Sequence, residues 1–140
     1  MSVEMLSASP TLRAVLDTAM RRQRADMARV ARALHALAQN DTDVSLALFT
    51  AIATAYRNAL ASAKKLQTLG DEHKALAVVV FATQATALEA WYRSLRPDAS
   101  AQDRRRDETR AQWHFRGAAR ALLQLDRVLG CPYGCKEPKK

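Results

Sequence analysis

Three short breaks, Asn40-Asp41-Thr42-Asp43, Gly70-Asp71 and Pro97-Asp98, divide the chain into four segments of similar length. Within each segment apolar residues recur at intervals of three and four, the period of a helix that buries one face. Four amphipathic helices joined by tight turns have one economical arrangement. Consecutive helices run antiparallel, giving an all-α, single-domain, up-down-up-down four-helix bundle. Composition points the same way: Gly and Pro number 4 each in 140 residues, and alanine, which loses no side-chain entropy in a helix, is abundant.

The first helix is expected over about 10–39, opened by Ser9 as a hydroxyl cap and by Pro10, whose missing N–H has no partner to lose there. Its inner stripe is Leu12, Leu16, Met20, Met27, Val30, Leu34 and Leu37. The second, over about 43–69, turns Leu48, Phe49, Ile52, Tyr56, Leu60, Ala63 and Leu66 inward, with Gly70 as the left-handed residue that ends it. The third, over about 72–95, stops before Pro97 and has the widest apolar face: Val78, Val80, Phe81, Ala85, Leu88, Trp91, Tyr92 and Leu95. The fourth, over about 99–129, is capped by Asp98 or Ser100 and buries Ala111, Phe115, Ala118, Leu122, Leu125 and Leu129 before Gly130 closes it. Residues 1–130 thus form the bundle, and 131–140 a basic tail holding both cysteines.

The chain is basic, with a formal charge of +8. The excess is concentrated in the first helix, the last helix and the tail, and the topology sets those two helices side by side. On a helical wheel Arg106, Arg110, Arg116, Arg120 and Arg127 share an outward arc with Trp113, and no carboxylate falls inside that arc. The first helix adds Arg13, Arg21, Arg22, Arg24, Arg29 and Arg32 on its outer face, with Asp17 interrupting their arc. Guanidinium groups hold phosphates while an indole outside the core stacks on a base. The competing reading has Trp113 packing against arginine stems on a solvated face. The expected partner is nucleic-acid backbone, bound with low sequence specificity, or an acidic protein. In size, charge and helicity the chain resembles the Arg-rich helical subunits that line nucleic-acid channels in CRISPR effector complexes, a likeness of class that no motif carries.

Inside the bundle, Gln23, Tyr56, Gln84 and His114 interrupt the apolar stripes at about one height, which predicts a hydrogen-bonded polar layer that fixes register. No carboxylate is expected to join it, Glu89 and Asp103 being placed outward.

Several chemistries are disfavoured. Cys131-Pro132-Tyr133-Gly134-Cys135 resembles the Cys-Pro-Tyr-Cys loop of glutaredoxins, but an inserted glycine changes the spacing and the loop follows a helix instead of opening one. Cytosolic thiols or a local staple on oxidation are the readings for this pair. Zinc would need His73 to join the two cysteines, a sparse ligand set. Small helical RNases with an Arg and a His a few residues apart offer a likeness in Arg29 and His35, or in Arg110 and His114, which share a face. No Glu-x-x-His pair faces inward as a di-iron bundle requires. Clustered inner carboxylates, as in all-α pyrophosphohydrolases, are not expected either. No catalytic residue, metal or cofactor is assigned. The second functional reading is a protein-interaction module (an adaptor, a chaperone or a homodimer) working through the second and third helices. There Ala47, Ala51, Thr54, Ala61, Val79, Thr83, Thr86 and Ala90 are expected outward. A small helical RNase ranks third. The start lacks the basic and apolar regions of a secretory signal, and Thr83, Gln84, Thr86 and Glu89 interrupt the most apolar run. A cytoplasmic protein without a membrane span is therefore expected, and the Ala and Arg bias suggests a GC-rich bacterial source.

Overall fold

The structure, a computed structural model, describes residues 9–37 and 44–134. Four helices make up the fold: α1 (Pro10–Leu37), α2 (Val44–Gln67), α3 (Lys74–Ser94) and α4 (Ala101–Val128). Consecutive helices pack together, α3 and α4 most closely, then α2 with α3 and α1 with α2. The all-α four-helix bundle read from the breaks is the observed architecture, with each described helix two or three residues shorter than its periodicity suggests.

Local chemistry sets the helix ends. The Ser9 hydroxyl accepts from the Leu12 N–H at 3.1 Å, and Ser100, not Asp98, caps α4 by accepting from the Asp103 N–H at 3.0 Å. Gly130 has φ 87° and closes α4 in the left-handed region, which favours glycine. Gly70 does not play this part: among the described residues only Gly130, Cys131 and Gly134 have positive φ. Instead α2 tightens into 3₁₀-type bonds, Thr68 N–H to the Lys65 carbonyl and Leu69 N–H to the Leu66 carbonyl, both at 3.1 Å. Asp71 then ties two elements together. Its carboxylate accepts from the Ser9 N–H at 2.6 Å and from the His73 N–H at 2.7 Å, joining the start of α1 to the turn before α3. The Ser9 bond is the main reason its pKa falls to about 2.

The core has two centres. At one, Leu12, Leu16, Leu66, Phe81 and Leu125 bring all four helices together. At the other, Val30, Leu48, Ile52 and Leu88 pack beneath Trp91 and Phe115, whose rings meet edge to face at 6.2 Å. Burying each large side chain contributes about 1.5–3 kcal/mol. Two residues read as core lie at the surface: Leu34 is 45% exposed and Tyr92 38% exposed, its ring resting edge-on against Phe49 at 5.1 Å.

The α3–α4 seam is built from small residues. A Cβ added to Gly117 would lie 3.6 Å from the Thr83 methyl group. Helical spacing puts Ala87, Ala90 and Ser94 on the Thr83 stripe, all buried, and α4 answers with buried Ala111, Ala118 and Ala121. Ala90 and Ala51, both expected outward, are therefore interior. By length and composition α3 alone among the described helices is apolar enough to cross a membrane. In the bundle it lies between α2 and α4 and buries Gln84 and Ser94.

Candidate nucleic-acid interface

The arginine arc of α4 lies on solvent as its spacing implies. Arg106, Arg110, Arg116, Arg120 and Arg127 are all exposed, spread over about 30 Å of helix. Trp113 is 65% exposed, and its ring meets that of His114 in a T-shaped contact at 5.4 Å. Arg106 is held at 3.2 Å by Asp103 and lies 3.9 Å from Asp107. Arg110, Arg116 and Arg120 form no hydrogen bond or ion pair among the described residues. Their charges are the ones available to a ligand.

The α1 arginines are distributed differently from the expected single face. Arg21, Arg22, Arg29 and Arg32 are exposed, but three of them turn toward α2. Arg22 lines a groove with Ser62 and Lys65, and Arg29 and Arg32 line another with Thr50 and Thr54. Arg29 is also engaged by Asp26 at 3.3 Å. The arginines on the α4 side are Arg13, which donates to the Leu129 carbonyl at 3.3 Å, and Arg24, whose charge reaches Tyr133. Both share a wheel sector with Asp17, and this sector of the outer face is the edge that meets α4.

That edge is closed by the loop after α4. Cys131 sits at φ 64°, donates its N–H to the Asp126 carbonyl at 2.7 Å and is disulfide-bonded; Cys135, the second cysteine, lies outside the described residues. Tyr133 follows. Its N–H donates to the Asp126 carboxylate at 2.8 Å, its hydroxyl donates to Asp17, and its ring packs on the core. Burial, then the Asp17 bond and the two carboxylate charges, push the phenol's pKa well above its ordinary value.

The predicted polar layer is only partly assembled. Gln23 and Gln84 line one small cleft, together with Asp26, Asn58 and Ser62. Tyr56 faces an outer groove between α2 and α3, and His114 is half-buried against Trp113. A carboxylate does enter the layer: buried Asp26 accepts from the Asn58 amide at 2.9 Å, joining α1 to α2. The cavity of about 10 Å³ is at the threshold for one water. Asp107 and Asp126 are buried as well, so among the described residues three carboxylates are buried where none was expected. They are dispersed, and among the described residues no three His, Cys, Asp or Glu are placed to hold a metal.

Comparison of the chain with known protein families, with characterised proteins and with solved structures finds no match. The class that fold and surface define is a basic four-helix bundle with an arginine-lined outer helix.

Proposed function

We propose that the outer face of α4 binds the phosphate backbone of a nucleic acid. The observation that carries this reading is the arc of exposed arginines around an exposed Trp113, with three guanidinium groups unpaired among the described residues. Side chains already paired would have to give up partners to bind; these need only shed water and ions. Contacts of this kind release counterions, so affinity falls steeply with salt. Trp113 supplies an aromatic surface for an unpaired base, which favours single strands over duplex. Arg24 and Arg13, at the α1–α4 edge, extend the same positive field.

The test is fluorescence anisotropy with labelled single-stranded RNA and duplex DNA at about 50 and 200 mM salt. Arg110→Glu with Arg120→Glu is expected to lower affinity at least tenfold and to flatten the salt slope by about 2, with helicity unchanged. Unchanged binding by the folded double variant would overturn the reading. The protein-interaction alternative loses part of its support, since Ala51 and Ala90 of its small-residue surface are buried. The RNase reading would place Arg110 and His114 at one site, but the His114 ring leans on Trp113.

A further inference from the structure

On the other side of the bundle an open groove of about 460 Å³ runs between α2 and α3. Ala53 lines it and, being small, leaves it open, with Tyr56 and Tyr92 beside it. Neither tyrosine hydroxyl is engaged among the described residues. Arg57 and Arg96 also line it, and their guanidinium groups are likewise without partners. The third arginine, Arg93, is bound to Glu89 at 3.2 Å, so the pair nearly cancels.

The order of these groups along the groove matters. Phe49 meets Tyr92 across the helices. Arg57 is two turns from Phe49 in one direction, and Arg96 lies just past the end of α3 beyond Tyr92 in the other, so the two sit at opposite ends of the groove, on the order of 15 Å apart along it. Their long side chains can reach inward from both ends. Positive charge thus sits at the ends, and a neutral, aromatic stretch lies between. A ligand that fits carries anions at its ends and a flat ring between them. One nucleoside flanked by two phosphates has that form. Its ring can stack on Tyr92, as bases do on aromatic platforms, while arginine suits the phosphates at either end. Glu89 favours this ligand over an acidic peptide: its carboxylate, bound on one side by Arg93, has lone pairs left to accept a hydrogen bond from a base amino group, whereas a peptide carboxylate brought to it has no donor to offer.

We infer that the α2–α3 groove is a single-strand nucleotide site, taking one base and its two flanking phosphates. It stands independently of the α4 reading, because it uses none of the same residues.

The experiment is titration of isotope-labelled full-length protein, followed by NMR, with a trinucleotide that has two internucleotide phosphates. Inorganic tripolyphosphate and a hexaglutamate peptide serve as separate arms. Shifts are expected at Ala53, Tyr56, Tyr92 and Arg96, with the trinucleotide binding at least tenfold more tightly than either control. Arg57→Gln with Arg96→Gln, both exposed and unpaired, should reduce that affinity at least tenfold while circular dichroism stays unchanged. Tyr92→Leu should reduce it as well, retaining an apolar contact for Phe49. Arg110→Glu with Arg120→Glu should leave it unchanged, so failure of the α4 site and failure of the groove are separately visible. Tripolyphosphate binding as tightly as the trinucleotide would remove the ring from recognition and overturn the proposal. So would shifts confined to α4, or tighter binding of the peptide.

Discussion

The two seams of α4 are closed by opposite means. Against α3 the backbones come close: Thr83 faces Gly117, and helical spacing carries buried Ala87, Ala90 and Ser94 along the same stripe. Against α1 there is no comparable run of close backbone approaches. There the closure comes from long side chains near one end, with Arg13 on the Leu129 carbonyl and Tyr133 on Asp17. A small-residue seam depends on shape and tolerates no added volume. A tethered seam depends on a few polar bonds and can lose one without losing its packing. The exposed arginines of α4 therefore ride on a helix fixed firmly on one side and fastened at points on the other.

The strongest way to break this contrast is to enlarge the tight seam. Ala87 is fully buried, and Ala87→Leu should cost about 1–3 kcal/mol by overpacking. The loss should appear as a lower midpoint in thermal denaturation followed by circular dichroism. A variant as stable as the parent would mean that α3 and α4 have room to spare, contrary to the small-residue account. At the tethered seam Tyr133→Phe keeps the ring and removes the hydroxyl bond to Asp17. Its expected cost is about 1 kcal/mol, with faster amide exchange confined to the ends of α1 and α4. Uniformly faster exchange across the bundle would show that Tyr133 supports the whole fold instead of one edge.

How much of this could be read from the chain depends on the reach of each interaction. Ser9, Ser100 and Gly130 were legible because a cap involves residues within a few positions of one another. Gly70 misled for a related reason: glycine permits a left-handed turn, but here the chain left the helix through 3₁₀-type bonds. Leu34 and Tyr92 were placed inside because a wheel gives the apolar half of a helix without saying which neighbour covers it. The buried aspartates were missed because their partners are remote or unusual. Asp26 meets Asn58 from another helix, and Asp126 meets a backbone N–H of the loop that follows. The α4 arc was the most legible part of the candidate site, since solvent exposure needs no partner. Sorting the α1 arginines required knowing which side of α1 meets α4.

A stabilising change sharpens the comparison further. Gly117 has no positive φ, and a Cβ there would make ordinary contact with the Thr83 methyl at 3.6 Å. Gly117→Ala should raise stability by about 0.5–1 kcal/mol, because alanine loses less backbone entropy on entering a helix. Chemical denaturation measures this directly, as a higher midpoint at constant slope. Alanine accepted at 117 and leucine refused at 87 would set the spare volume of the α3–α4 seam between one methyl group and three carbons. If Gly117→Ala destabilised instead, the helices would be closer there than the Thr83 contact indicates.

The smallest effect concerns Asp71, a polar tether like Tyr133 but one that titrates. Its carboxyl has a pKa near 2 in the folded chain against 3.8 ordinarily, chiefly because the ionised form accepts the Ser9 N–H. A depressed carboxyl stabilises the fold where it is ionised in both states, above about pH 4. That contribution fades as pH falls from about 4 through 2, because the unfolded chain takes up the proton first. Asp71→Asn retains a side-chain acceptor but removes the charge, so it should be slightly less stable than the parent at pH 6, with the gap closing by pH 2. Melting curves of the two proteins across that range test the sign. A gap that stayed constant with pH would assign the effect of Asp71 to shape, and would leave the α1 end of the bundle held by packing instead of by charge.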